Sequence, residues 1–390
     1  MKNIRKCIIG LFEYLRQNGI VLLLLALLAV ILFGGMTGIM YSTDDEVSCY
    51  YRLHSGLSGN VLSVAKAQGR FYFLLSQFMA AVPFLIKNVV WYKLWAYGAV
   101  LFNMLLVWYL IRKYIGELPA YLTILCFLGF YELNMQHNLL VAYPFFLQQP
   151  LTGVLLSTEF FLRYQCEKKE IFAAASALAF LYACMFNESF LSFGIIIAVI
   201  ALRGCNSGWK GIRQWCRSIK YHIAAGVLYF AVYVLFRRLF HSTYGGNVIG
   251  ESYTILQRFQ TMLALMTGQS PLKSYRHLLT AGNKLNVSVL SVLKGGAAAF
   301  CCVHLLTRLY KHSGRTDDES INKEMYAYGT AVTLLVLFSL LLTLPYSLTD
   351  RYSKQILTGH IYSYVVSYYS FWFMAAAFCI LPIKSSVNSL

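Results

Sequence analysis

Apolar stretches long enough to cross a lipid bilayer recur along the chain, from residues 19–40 near one end to residues 363–382 near the other. A spanning helix needs roughly 20 apolar residues, because the hydrocarbon core is about 30 Å thick and a helix rises about 1.5 Å per residue. Lipid offers the backbone no hydrogen bonds, and these stretches do not alternate as barrel strands do. The sequence therefore predicts an all-α polytopic membrane protein.

The composition and the charge agree with this class and exclude others. Of the 390 residues, 58% are hydrophobic and 13% are charged, and the mean hydropathy is +0.57, outside the range of soluble domains. The ten cysteines lie mostly in apolar runs, with no CxxC or Cys/His cluster, so they indicate neither a disulfide framework nor a metal site. The net charge of +17 comes from basic residues that border the apolar runs, which favours contact with membrane lipids over nucleic acid.

Basic residues also set the expected orientation, because cytoplasmic loops are enriched in lysine and arginine. The segment from Arg203 to Lys220 holds five basic residues and no acid, which makes it the firmest cytoplasmic anchor. We expect a multi-pass protein of the plasma membrane with both termini in the cytoplasm, forming a single transmembrane domain over residues 1–390. About ten spans (nine to eleven) are predicted, at 19–40, 94–111, 119–133, 150–166, 171–186, 188–203, 221–240, 288–308, 326–344 and 363–382. The outer loops are then 41–93, 134–149, the turn at 187–188, 241–287 and 345–362.

One apolar stretch, from Arg70 to Ile86, is too short for an ordinary span and is interrupted by Gln77 and Pro83. If it crossed the membrane, the basic pair Arg112–Lys113 would fall outside the cell, against the orientation rule. We therefore interpret it as an interfacial or re-entrant helix after the first outer loop.

The first outer loop opens with three consecutive acids, Asp44, Asp45 and Glu46. Adjacent carboxylates repel one another, so at least one of them gains from a cation, a metal or a proton. A well-solvated acidic cluster is the alternative interpretation. Arg52 follows in the same loop, and Gly69-Arg70-Phe71 closes it, with a glycine that permits a sharp turn and an arginine suited to a carboxylate or phosphate. An interfacial anchor is the alternative role for Arg70.

An apolar first helix, a loop that opens with Asp44 and Asp45, and Gly69-Arg70-Phe71 before an aromatic half-helix resemble the GT-C glycosyltransferase superfamily. The resemblance lies mainly in residues 19–100. It implies a GT-C-like fold and a sugar donor carried on a polyprenyl-phosphate lipid. It also implies that Asp44 or Asp45 is the catalytic base, which accepts a proton as the acceptor hydroxyl attacks and inverts the anomeric carbon.

The second outer loop offers Glu132 and His137 as the nearest match to further acids of that superfamily. No paired acid stands there, which departs from the pattern and puts a metal-dependent mechanism in doubt. No cofactor is therefore predicted, although a divalent cation remains compatible with the acids of the first loop.

Asn187-Glu188 lies between two adjoining apolar runs, at or just below the outer surface. A charged glutamate is costly at that depth, so we expect Glu188 to face a polar cavity. A helix hairpin with a polar tip is the alternative interpretation.

A phosphate leaving group also needs cations on the outer side. Lys273, Arg276 and Arg351 are the favoured candidates because they fall in predicted loops. Arg237 and Arg238 end a predicted span, where snorkelling anchors are common.

These residues predict an inverting glycosyltransferase, of the hexosyltransferase type, that moves a sugar from a polyprenyl-phosphate donor to a cell-surface glycan or lipid acceptor outside the cytoplasm. A polysaccharide polymerase that uses arginines of the outer loops 241–287 and 345–362 is an alternative. A non-enzymatic lipid or glycan transporter is the second alternative. The scarcity of charged residues within the predicted spans and the lack of an internal repeat argue against it.

Overall fold

The computed structural model describes residues 44–86, 88–130, 148–203, 205, 208–242, 249–267, 321–358 and 365–387, with isolated positions at 19, 293, 296, 300 and 303. The described residues are mostly helical and contain no strand, apart from an isolated bridge between Ile249 and Thr349. The α-helices are α1 (Asp44–His54), α2 (Leu57–Gln68), α3 (Phe73–Ala81), α4 (Val89–Tyr114), α5 (Glu117–Phe130), α6 (Gln149–Glu167), α7 (Glu170–Cys184), α8 (Phe193–Arg203), α9 (Trp209–Leu239), α10 (Ile255–Thr267), α11 (Ile321–Ser347), α12 (Asp350–Leu357) and α13 (Val365–Val387). Short 3-10 helices cover Val82–Leu85 and Glu188–Ser192.

Membrane-spanning character is visible in three helices that are long and apolar enough to cross a bilayer, over Val90–Tyr114, Trp209–Leu239 and Gly329–Ser347. Shorter apolar helices of 10–17 residues cover Leu74–Leu85, Glu117–Leu128, Glu170–Cys184, Glu188–Leu202 and Ser367–Ile380. The all-α class of the described residues is therefore confirmed, whereas the ten-span count and the orientation of the termini stay predictions. The predicted spans 19–40 and 288–308 lie outside the described residues, except for isolated positions.

Three segments that were predicted as loops are helical. The start of the first outer loop forms α1 and α2, the basic anchor Arg203–Lys220 continues from Trp209 into α9, and part of the last outer loop forms α12. Hydropathy identifies a helix only when most of its residues are apolar. A helix with one polar face that lies at or beyond the membrane surface escapes it.

Close packing of α6 against α7 depends on Gly153 of α6. A Cβ atom at this position would lie 2.9 Å from the carbonyl oxygen of Ala179 and 3.0 Å from the Cβ of Ala183. A small residue lets two helix backbones approach closely, which is the usual way that helices gain contact within a membrane. Elsewhere in the bundle, Phe127 of α5 stacks on Trp372 of α13 with ring centroids 3.8 Å apart.

A buried polar network joins α4, α6 and α13. The side-chain amide of Asn103 donates to the carbonyl and side-chain oxygens of Gln148, at 3.0 and 3.1 Å, and its own oxygen accepts from Thr152 at 2.7 Å. The hydroxyl of Tyr368 donates to the Gln148 side-chain oxygen at 2.6 Å. Polar groups buried between apolar helices require such partners, so this network fixes how the three helices are placed.

In the described part of the chain, Glu159 of α6 accepts hydrogen bonds from four side chains. Its side chain is only 8% exposed, and its carboxylate lies 2.7 Å from the Nζ of Lys113 and 2.5 Å from the Nε of Arg163. The hydroxyls of Tyr109 and Tyr114 donate to it at 3.2 and 3.1 Å. This cluster ties the end of α4 to α6, and it explains how a helix with a central acid fits within an apolar bundle.

We expect Glu159→Ala to lower the free energy of unfolding by about 2–4 kcal/mol, because Lys113 and Arg163 then lose the carboxylate that compensates their charge. The measurement is thermal and denaturant unfolding of the purified protein in detergent. The matched control is Glu167→Ala on the same helix. Glu167 pairs with Lys169 at 2.7 Å but is 39% exposed, so its loss should cost under about 1 kcal/mol. Equal losses in the two variants would contradict the assignment.

Candidate functional site

The turn after α2 is built on Gly69, as the sequence predicted. Gly69 adopts a left-handed conformation with φ +61°, and its N–H and that of Arg70 donate to the carbonyl oxygens of Lys66 and Ala65 at 3.1 Å each. A Cβ atom at Gly69 would also lie 2.8 Å from the carbonyl oxygen of Phe240, just past the end of α9. Only glycine suits both the conformation and the close approach, and the turn directs Arg70 toward the helix bundle.

Arg70 forms an ion pair with Glu188, 118 residues later in the chain. The Nη2 of Arg70 lies 2.8 Å from the Oε1 of Glu188, and the two side chains are 15% and 27% exposed. The hydroxyl of Tyr72 donates to the other carboxylate oxygen, Oε2. Both oxygens of Glu188 therefore have a partner from the same turn. These contacts agree with the expectation that this acid needs polar surroundings, whereas the polar cavity itself stays a prediction.

Asn187 determines where Glu188 begins its 3-10 helix. The side-chain oxygen of Asn187 accepts from the N–H and the hydroxyl of Ser189 at 3.0 and 2.9 Å, as a helix N-cap does. Its side-chain nitrogen donates to the hydroxyl of Tyr346 at 2.6 Å. The hairpin that carries Glu188 is thereby held against the end of α11.

Tyrosines line the surroundings of this ion pair. Tyr72 and Tyr229 are buried, and the ring of Tyr346 lies 5.0 Å from that of Tyr352. Phe71 bridges the turn to α9, with its ring 5.0 Å from that of Tyr229. We call Arg70, Tyr72, Glu188, Tyr346 and Tyr352 the Arg70 site.

Electrostatics keep the Arg70 site in a defined protonation state. Burial by itself lowers the pKa of the Arg70 guanidinium, but the neighbouring Tyr72 and the Glu188 carboxylate outweigh it, and the net pKa is raised. Burial and the negative charge of Glu188 raise the pKa of the Tyr72 hydroxyl. Arg70 therefore stays positively charged, and Tyr72 stays a hydrogen-bond donor, throughout the physiological pH range.

The apolar helices around the Arg70 site all start or stop near it. The apolar segment Leu74–Leu85 begins four residues after Arg70, the segment Glu188–Leu202 begins at Glu188 itself, and Gly329–Ser347 ends one residue after Tyr346. Ring contact between Phe71 and Phe236 places the end of α9 there as well. The Arg70 site therefore lies where the ends of several apolar helices meet.

A second polar cluster, formed by Arg258, Ser252 and Asp350, lies beside the site. The guanidinium of Arg258 donates to the carbonyl oxygens of Gly250 and Leu348 and lies 3.4 Å from Asp350. Ser252 donates to Asp350 through its N–H and its hydroxyl, at 3.2 and 2.6 Å, and these bonds lower the pKa of Asp350. Together they dock the segment before α10 onto the α11–α12 junction, next to Tyr346 and Tyr352.

No family model, curated protein or solved structure matches this chain. Of the candidates predicted from sequence, Arg70 and Glu188 are brought together. Arg351 lies exposed on α12, one residue before Tyr352, rather than in a loop as predicted.

The other predicted site residues lie wholly or partly outside the described part of the chain. Asp44 is the first residue of α1, but the side chains of Asp44, Asp45 and Arg52 lie outside the described part. Glu132, His137, Lys273 and Arg276 lie outside the described residues altogether.

The tyrosines of the Arg70 site were missed from sequence because 29 tyrosines are spread over the chain. The sequence signal in this region was Gly69-Arg70-Phe71, which Tyr72 directly follows. Among the described residues, no group of three or more His, Cys, Asp or Glu side chains is placed to hold a metal.

Chemically, the site offers a fixed cation, a carboxylate and phenol hydroxyls beside aromatic faces. A planar guanidinium binds phosphate or carboxylate in a bidentate manner. Aromatic rings with hydroxyls suit a ligand that has both apolar and hydroxylated faces, such as a sugar. These groups can therefore bind a ligand that has both an anionic group and hydroxyls.

We expect the Arg70–Glu188 pair to couple energetically by about 1–3 kcal/mol in a double-mutant cycle of Arg70→Met and Glu188→Gln, because both charges are largely removed from water. The measurement is the free energy of unfolding of the two single variants and the double variant in detergent. The control cycle is Arg112 with Glu117, which lie 3.8 Å apart with side chains 37% and 32% exposed. Its coupling should be below about 1 kcal/mol. Similar coupling in both cycles would contradict a special role for the Arg70 pair.

Proposed function

We propose that this chain is a membrane glycosyltransferase that moves one sugar from a polyprenyl-phosphate donor to a cell-surface glycan or lipid acceptor. The observation that carries the proposal is the Arg70–Glu188 ion pair with its tyrosines, at the common boundary of several apolar helices. A lipid-linked sugar phosphate presents its phosphate and its sugar at that depth. As part of this proposal, the chain has a GT-C-like fold with about ten membrane spans, as its resemblance to the GT-C superfamily implies.

The positions of charges along α9 support an outer location for the site. Lys220, toward the N-terminal end of α9, pairs with Glu170 at 2.9 Å, whereas Phe236 contacts the Arg70 turn. Sixteen residues of helix separate Lys220 from Phe236, or about 24 Å, close to the thickness of the hydrocarbon core. If the basic end of α9 lies in the cytoplasm, as its charge favours, the Arg70 site lies outside.

In the proposed reaction, Arg70 binds the phosphate of the donor and Asp44 or Asp45 accepts the proton. The acceptor hydroxyl oxygen bonds to the anomeric carbon while the bond from that carbon to the phosphate oxygen breaks. The hydroxyl proton passes to the carboxylate, and polyprenyl phosphate leaves with its charge stabilised by the guanidinium. The anomeric carbon is inverted.

Contacts of the described residues support several of these proposed roles. Helix α1 begins at Asp44 and packs against α3, the helix that follows the Arg70 turn. Glu188 and Tyr72 hold Arg70 in place before the donor arrives. Tyr346 and Tyr352 supply aromatic faces on the side of α11 and α12. The exposed Arg351 beside Tyr352 is a further proposed phosphate contact.

The test uses the purified protein in proteoliposomes with radiolabelled polyprenyl-phosphate hexoses and a membrane extract as the acceptor source. We expect Asp44→Asn with Asp45→Asn to lower kcat by at least about 100-fold, the usual contribution of a general base. Arg70→Lys should instead raise the KM for the donor by roughly tenfold, because lysine lacks the bidentate geometry. The control is Arg112→Lys, since Arg112 lies over the Trp108 ring at the far end of α4.

Full transfer activity in the aspartate and Arg70 variants would contradict the proposal. Tolerance of the aspartate changes, together with synthesis of long glycan chains, would instead support the polysaccharide polymerase. Release of sugar lipid across sealed vesicles without any acceptor would support the transporter.

A further inference from the structure

The first three turns of α9, residues 209–220, carry their charges on one side. At 100° per residue, Trp209, Lys210, Arg213, Arg217 and Lys220 fall within an arc of about 100°. All five side chains are exposed, Trp209 to 80%. We call this arc the cationic face of α9.

The opposite side of the same turns is docked on the helix bundle. Gly211 and Ile219 are buried, and the indole nitrogen of Trp215 donates to the carbonyl oxygen of Ala198 on α8 at 2.8 Å. These contacts fix the rotation of the helix about its axis. The cationic face therefore points away from the protein, as part of a rigid helix.

Among the described residues, Glu170 is the acid that compensates part of the positive charge on this face, through its ion pair with Lys220 and its electrostatic interaction with Arg217. Lys220 pairs with Glu170 at 2.9 Å. Lys210, Arg213 and Arg217 form no ion pair with a carboxylate among the described residues, and the stretch 203–220 contains no acid. A face with three such cations favours an anionic partner.

The same side of α9 becomes apolar further along the helix. Four exposed aliphatic residues lie on this side of the helix, within an arc of about 120° that starts at the direction of Trp209. They are Val227, Leu228, Leu235 and Leu239. The change from charged to apolar falls just after Lys220, where the hydrocarbon core begins if α9 spans the membrane. One continuous surface thus offers cations at the headgroup level and aliphatic side chains below it.

We infer that an anionic phospholipid binds along this surface of α9. Its phosphate lies against Lys210, Arg213 and Arg217, and its acyl chains lie along Val227, Leu228 and Leu235. Each basic residue near an anionic membrane surface contributes about 1 kcal/mol to such binding, whereas a zwitterionic lipid gains much less. Since the surface lies at the opposite end of α9 from the Arg70 site, this inference does not rest on the proposed glycosyltransferase activity.

Native mass spectrometry of the delipidated, detergent-purified full chain tests the inference with added lipid. We expect dioleoyl phosphatidylglycerol to bind more tightly than dioleoyl phosphatidylcholine. Arg213→Gln with Arg217→Gln should weaken phosphatidylglycerol binding by roughly 10- to 30-fold, as the loss of two charges implies. Circular dichroism should show unchanged helix content, because both side chains are exposed. Single variants Arg213→Gln and Arg217→Gln, with about fivefold effects each, replace the double variant if its yield is poor.

The matched control is Lys168→Gln with Lys169→Gln, which removes two charges from the neighbouring connection between α6 and α7. Lys168 donates to Gln165 at 3.3 Å and Lys169 to Glu167 at 2.7 Å, so these cations already have partners. Equal losses in the two double variants would overturn the inference, because only a diffuse charge effect would remain. Equal binding of phosphatidylcholine would also overturn it. So would binding of free glycerol 3-phosphate as tight as that of the lipid, since the acyl chains would then contribute nothing.

Discussion

Polar and charged groups inside an apolar bundle must find their partners on other helices, and the described structure is organised by this constraint. The Arg70–Glu188 pair joins the turn after α2 to the hairpin before α8. Glu159 joins α4 to α6, and Gln148 joins α4, α6 and α13. Apolar packing brings the helices together without much directional preference, whereas each of these contacts permits only one placement of the helices it connects.

The two ends of α9 differ in charge and in exposure, and each end is suited to a different kind of ligand. Near Phe236 and Phe240 the helix end contacts a turn that carries a largely buried arginine with its own carboxylate. Near Trp209 the helix presents exposed cations, of which Lys220 alone forms an ion pair among the described residues. The first arrangement is specific and enclosed, and suits recognition of one substrate. The second is open, and it suits contact with anionic lipid as we infer above. A helix of 31 residues is long enough to place the two on opposite sides of a membrane.

Gly69, Arg70 and Glu188 could be singled out from the sequence, but the sequence did not show that Arg70 and Glu188 form one site with tyrosines. Gly69 and Arg70 were singled out because a glycine–arginine turn at a membrane boundary is unusual, and Glu188 because an acid between apolar runs is costly. Each of these predictions used only a residue and its neighbours in the sequence, so it did not require knowledge of the residue's contact partner. Tyr72, Tyr346 and Tyr352 could not be distinguished from the other tyrosines, since an interfacial tyrosine looks the same in sequence whether it faces lipid or a site. The assignment of Arg351 to a loop was wrong because a short amphipathic helix leaves a weak hydropathy signal.

The sequence by itself determined the all-α class, the approximate positions of the apolar helices and the separation of basic from apolar segments, because lipid solvation acts on each segment independently. Only the tertiary structure decided that Arg70 meets Glu188, that Glu159 contacts two cations and two tyrosines, and that Trp215 of α9 docks on α8 and turns the basic face outward. Such pairings depend on the rotation of each helix about its axis and on which helices are neighbours. Those features are set by side-chain packing between segments distant in the chain, which no local pattern encodes.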